Sequence, residues 1–205
     1  MDDYSKQILN FLSPDSLKEN LIFTSIFIAI YENFKHTIVE NLKFFYCNGF
    51  DEKGYFFPSY EEEVLNKITS TKNREIRATL DWFKEHEVIN DKDIATFKKI
   101  TNLRNEFAHN TLNVLITGLP DKSKELFEQM ISLFEKITRW WIQEIEIPIN
   151  SEMTEKEYND LYLDEVTSLN IVFLKMMSDI AQNNTEEYLE LYKSVQTIMK
   201  DKNNE

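Results

Sequence analysis

Apolar residues recur along this chain at helical rather than strand spacing. Leu17, Leu21, Ile28, Ile38, Leu42 and Phe45 mark a long helix over residues 14–47, with Ser13 as its N-cap and Pro14 at its first position. A short helix over 4–12 precedes it. Ile76, Leu80 and Phe83 define a helix over 72–87. Phe97, Ile100, Leu103 and Phe107 define another over 92–108, opened by the polar run "NDKD". Leu126, Met130, Leu133, Ile137 and Trp141 fall near a seven-residue repeat, predicting a helix from Asp121 or Ser123 to about residue 144.

Between these periodic stretches lie the connections. "CNGFDEKGYFFPSY" reads as the clearest loop, and Ser59 with Glu62 suits a capping box for a helix over 60–68. "NTLNVLITGLP" reads as an extended connection and "IEIPINSE" as a linker. Two further helices, over 154–181 and 185–200, are predicted to follow it. The expected fold class is therefore all-α: an antiparallel helical bundle over 1–147, with a C-terminal acidic helical extension over 148–205 packing on the bundle or on a partner.

Composition supports this picture. Three glycines and four prolines in 205 residues leave little punctuation for a turn-dense β fold, and 42% hydrophobic residues suffice for a core. The single Cys47 cannot form an internal disulfide and reads as a small buried hydrophobe in a reducing compartment. The longest apolar run, "LIFTSIFIAI", is about half of a membrane span, and "MDDYSK" is acidic where an export signal is basic. A cytoplasmic location without membrane association is expected.

The net charge of −13 argues against broad, nonspecific binding of nucleic acid or anionic lipid. Its distribution is uneven. Between Lys72 and Arg104, eight basic side chains face six acidic ones, a segment of +2 that leaves −15 for the remainder. The tail beyond residue 147 carries twelve acidic and five basic residues.

Candidate chemistry concentrates in "KKITNLRNEFAHNTLN", residues 98–113. Lys98, Asn102, Asn105 and His109 are spaced by four, three and four residues, one polar stripe opposite the apolar one. Arg104 sits on the flank, roughly 140° from His109 at about 100° per residue. Asn110 suits a left-handed cap, which puts His109 in the last helical turn. An arginine holds a phosphate or steadies a phosphorane-like transition state, and a histidine moves protons. An amide orients either group. The matching reaction is metal-independent RNA cleavage by the neighbouring 2′-hydroxyl. The competing interpretation is a solvated polar stripe with a capping histidine.

"LRNEFAH" has the R-N-x-x-x-H form and resembles the signature of the HEPN superfamily, many of whose members are metal-independent endoribonucleases. The resemblance implies a helical bundle with the motif late in the core, and Arg104, Asn105 and His109 as the catalytic set. Lys98 and Asn102 would extend that site toward RNA. It further implies a homodimer pairing two motifs in one cleft, no cofactor or metal, and a toxin or anti-phage effector role with an antitoxin or defence-system partner. Some HEPN toxins carry a modified tyrosine two residues after the histidine; Thr111 stands there in this chain. The alternative expectation is a non-catalytic HEPN-like interaction module that uses the acidic tail.

Other candidates are weaker. His36 and His86 lack metal-ligand partners at suitable spacing, and Asp51–Lys53 or the acidic turn after Tyr60 offers only scattered carboxylates. Of Trp140 and Trp141, one is expected in the core and the other at an interface.

Overall fold

The computed structural model describes residues 12–69, 71–149 and 168–182, together with Glu186, Leu189, Glu190, Tyr192 and Lys193. The fold is all-α, with one small hairpin among the described residues. Helix α1 spans Pro14–Phe45; β1 (Gly49–Asp51) and β2 (Gly54–Phe56) form the hairpin. Then come α2 (Pro58–Glu63), α3 (Arg74–Glu85), α4 (Asp91–His109), α5 (Thr111–Thr117), α6 (Ser123–Trp141) and α7 (Leu169–Ala181). The expected helix over 4–12 lies outside the described residues except for Leu12. So do the first half of the one over 154–181 and most of the one over 185–200.

Ring contacts reveal how the helices run. Phe23 and Phe27 of α1 meet Phe107 of α4, whereas Tyr31 and Phe34 meet Phe97. Ascending α1 therefore means descending α4. Along α6 the order is the reverse, since Phe23 and Phe27 touch Phe127 while Phe34 stacks on Phe134 at 4.6 Å. Helix α7 packs against both α1 and α6 through Ile171 and Leu174, with Asn33 donating to Asn170 at 3.2 Å and Lys175 pairing with Glu135 at 2.8 Å. The contacts α1–α4, α4–α6, α6–α7 and α7–α1 close a ring of neighbouring helices around an aromatic core. At the other end of α1, α3 brings Trp82 and Phe83 against Phe45 and Trp141.

Local chemistry explains the helix starts. The Ser13 hydroxyl accepts from the Ser16 amide at 3.3 Å, as the Ser13–Pro14 pair predicts. Asn90 caps α4 by accepting from Lys92 and Asp93, and Asp93 returns the bond to the Asn90 amide at 3.0 Å.

Several connections differ from expectation. Residues 47–60 hold a hairpin rather than a loop. Gly49, at φ 149°, lets the chain pass under Phe56, whose ring atom would lie 3.0 Å from any added Cβ. Ser59 does not cap a helix: its amide donates to Asn48 and its hydroxyl accepts from Asn48, and α2 starts at Pro58. The stretch after His109 is helical. Asn110 takes φ −121°, not a left-handed conformation, and the Thr111 hydroxyl donates to the Phe107 carbonyl. Buried Val114 then anchors α5 to the core. Leu21 and Phe45, expected on the apolar side of α1, are about half exposed; Phe23, Phe27, Ile30 and Phe34 fill the core in their place.

Candidate functional site

Helix α4 divides as its sequence suggests. Phe97, Ile100, Leu103 and Phe107 are buried, and Lys98, Asn102, Asn105 and His109 are exposed. The capping box fixes one end of this helix, and the Phe23–Phe27–Phe107–Phe127 ring cluster holds the other. The polar face therefore rides on a rigid support.

Arg104 lies between the two faces, with 27% of its side chain exposed. One terminal nitrogen, Nη2, donates to Glu32 Oε1 on α1, and the other, Nη1, donates to Asn105 Oδ1 at 3.2 Å. Its guanidinium carbon sits 5.6 Å from the centre of the Tyr31 ring, a cation–π contact. Its Nε is buried and has no hydrogen-bond partner among the described residues. Burial raises the Tyr31 hydroxyl above the ordinary tyrosine pKa, and the Thr101 hydroxyl, 3.2 Å away, partly offsets that shift. Tyr31 is therefore a neutral ring and hydrogen-bonding group under Arg104.

No family model, curated protein or solved structure matches this chain.

Arg104 and Asn105 are brought together, because the long arginine side chain leans across the angle that separates them on the helix. His109 is not joined to either. Among the described residues it makes no hydrogen bond or ion pair, and it stands exposed at the last position of α4. Lys98 and Asn102 lie on the same exposed face and likewise have no such partners there.

Glu32 is a neighbour of Arg104 that no pattern in the sequence marks. It lies 72 residues from Arg104 and has no motif of its own. Lys35 approaches the same carboxylate at 3.9 Å, so Glu32 sits between two cations. An arginine held by a carboxylate and an amide is pre-oriented for a planar oxyanion, which can take over its terminal N–H groups.

The remaining candidates resolve into packing. Trp141 is buried, and Trp140 packs on α3 at 6.1 Å from Trp82 and 6.0 Å from Phe83. His86 stacks on Trp82 at 3.8 Å, its Nδ1 lying 2.8 Å from the Trp82 carbonyl. Cys47 is half-buried and donates to the Gly49 carbonyl at 3.4 Å, a position more open than expected. Among the described residues no cluster of three or more His, Cys, Asp or Glu is arranged to hold a metal ion, and no helix is long and apolar enough to cross a membrane.

Proposed function

We propose that this protein is a HEPN-type endoribonuclease that cleaves RNA through attack of the 2′-hydroxyl, acts as a homodimer, and serves as a toxin or anti-phage effector. The observation that carries the reading is the arrangement of "LRNEFAH". Arg104 is held in place by Asn105 and Glu32, and His109 stands unencumbered on the same buried-backed helix. In this reading His109 exchanges the proton of the attacking or leaving oxygen. Arg104 binds the phosphate and offsets the charge that develops on it. Asn105 fixes the guanidinium, and Lys98 and Asn102 contact the strand beyond the reacting phosphate. A second copy of α4 across a two-fold axis would bring a second His109 toward the arginine.

The test is RNA cleavage in the presence of EDTA by the wild-type protein, His109→Ala and Arg104→Ala. Wild-type activity that persists in EDTA, with a loss on the order of 10²- to 10⁴-fold in the histidine variant, supports the reading. Equal cleavage by all three proteins defeats it, and loss of wild-type activity in EDTA defeats its metal-independent chemistry.

A second reading, a non-catalytic HEPN-like module, is favoured by one observation. Helix α7 leaves Leu169 and Phe173 exposed by 68% and 54% while its other side packs on the bundle. Growth arrest on induced expression that disappears in His109→Ala separates the effector from the module.

A further inference from the structure

The junction between α1 and α4 contains a second histidine that the motif does not name. Because the two helices are antiparallel, leaving the Arg104–Glu32 pair along α4 leads in one direction to His109. Leaving it along α1 leads in the opposite direction to His36. The offsets are five residues and four, so at about 1.5 Å per residue the two backbones stand roughly 7.5 Å and 6 Å from the pair along the helix axes. Along the helix axes Arg104 thus lies between His36 and His109. Its own His109 points about 140° round α4 from it, so the His109 that meets the guanidinium is that of the second copy.

His36 is available for chemistry. It is exposed and has no hydrogen bond or ion pair among the described residues. It lines a cleft of about 240 Å³ whose other walls are Glu32, Lys35, Val39 and Glu40 of α1 and Glu75 of α3. Lys35 is drawn toward Glu32 at 3.9 Å and Lys43 toward Glu40 at 3.7 Å. The charged groups around His36 are therefore Glu32, Lys35 and Glu40 on its own helix and Glu75 opposite. The cleft shares Glu32 with Arg104, which makes it the neighbour of the guanidinium on the α1 side.

We propose that His36 is the second proton-transfer group of this site, donating to the leaving oxygen; the proposal rests on the ribonuclease reading above. The His109 brought in by the second copy of α4 takes the proton of the 2′-hydroxyl, and the 2′-oxygen forms a bond to phosphorus. The bond from phosphorus to the 5′-oxygen breaks, and that oxygen takes the proton of His36. The products are a 2′,3′-cyclic phosphate and a 5′-hydroxyl. His109 ends protonated and His36 neutral, and exchange with water restores both. Arg104 stays paired to the phosphate throughout. Lys35 and the cleft carboxylates orient the nucleotide on the leaving side.

Single-turnover RNA cleavage across a pH series tests this with the full chain, His36→Ala, His36→Gln, Lys35→Gln and His109→Ala. Both His36 variants should lose about 10²- to 10⁴-fold in the catalytic rate with little change in KM, and should lose the alkaline limb of a bell-shaped profile. Lys35→Gln should keep both limbs. An unchanged rate in the His36 variants, or a loss confined to KM with both limbs retained, overturns the role of His36 while leaving the ribonuclease reading intact. A wild-type protein that leaves RNA whole, or His109→Ala that cleaves as the wild type does, overturns both. His36 is exposed, so far-ultraviolet circular dichroism of each variant should match the wild type. A variant that fails this check is replaced in the comparison by the other His36 substitution.

Discussion

Glu32 on α1 and Arg104 on α4 form an ion pair at the rim of the aromatic core, with the arginine resting over Tyr31 and bonded to Asn105. The pair is part-exposed, so its net contribution to stability is about 0–1 kcal/mol, and its main effect is to aim the guanidinium. Glu32→Gln should leave the thermal midpoint within about 4 °C of wild type, since 1 kcal/mol corresponds to roughly 2–4 °C in a domain of this size. On the proposed ribonuclease reading, the same variant should reduce RNA cleavage by about tenfold through loss of orientation. Faster cleavage would show that Glu32 restrains Arg104 rather than positioning it.

Asn90 closes the capping box that starts α4, the helix on which every motif residue rides. Asn90→Ala removes acceptors for the Lys92 and Asp93 amides and should destabilise the fold by about 0.5–2 kcal/mol. Urea unfolding with an unchanged slope measures it. A change below about 0.2 kcal/mol would mean that tertiary packing alone holds this helix end.

Leu174 of α7 is buried in the same core cluster as the aromatic residues of α1 and α6. Leu174→Ala should cost about 2–5 kcal/mol, the usual range for a buried leucine. A cost under about 0.5 kcal/mol, read from denaturant midpoints, would be that of a surface position and would place α7 outside the cooperative unit.

Tyr31 and Tyr60 are buried, and desolvation raises both hydroxyls above the usual value of 10.0. A proton bound more tightly in the folded state stabilises it fully below the unfolded pKa, and that contribution is lost as pH rises through the folded one. Stability should therefore fall above pH 10.0 as the tyrosines ionise. In Tyr31→Phe the fall should be shallower. Thermal midpoints between neutral pH and the alkaline limb, compared between the two proteins, check this. Parallel curves would remove Tyr31 from the alkaline transition.

Sequence alone determined the features that depend on neighbouring residues. Ser13 and Pro14 start α1 because a hydroxyl and a fixed φ satisfy the first turn locally. The spacing of Phe97, Ile100, Leu103 and Phe107 sets which side of α4 is buried, and so which side shows Asn105 and His109. The all-α class follows from the same periodicity and from scarce glycine and proline. Tertiary structure decided the rest. Leu21 and Phe45 emerge half exposed because α1 turns the Phe23–Phe27–Phe34 stripe inward to meet the rings of α4 and α6. Gly49–Asp51 pairs with Gly54–Phe56 because a positive-φ glycine at 49 leaves room for the Phe56 ring. Arg104 meets Glu32, with His36 one turn beyond, because an antiparallel register joins positions 72 residues apart. Caps and periodicity act over a few residues and can be read from them. Which flank residues meet across two helices depends on rotation and register, and packing of the whole core sets both.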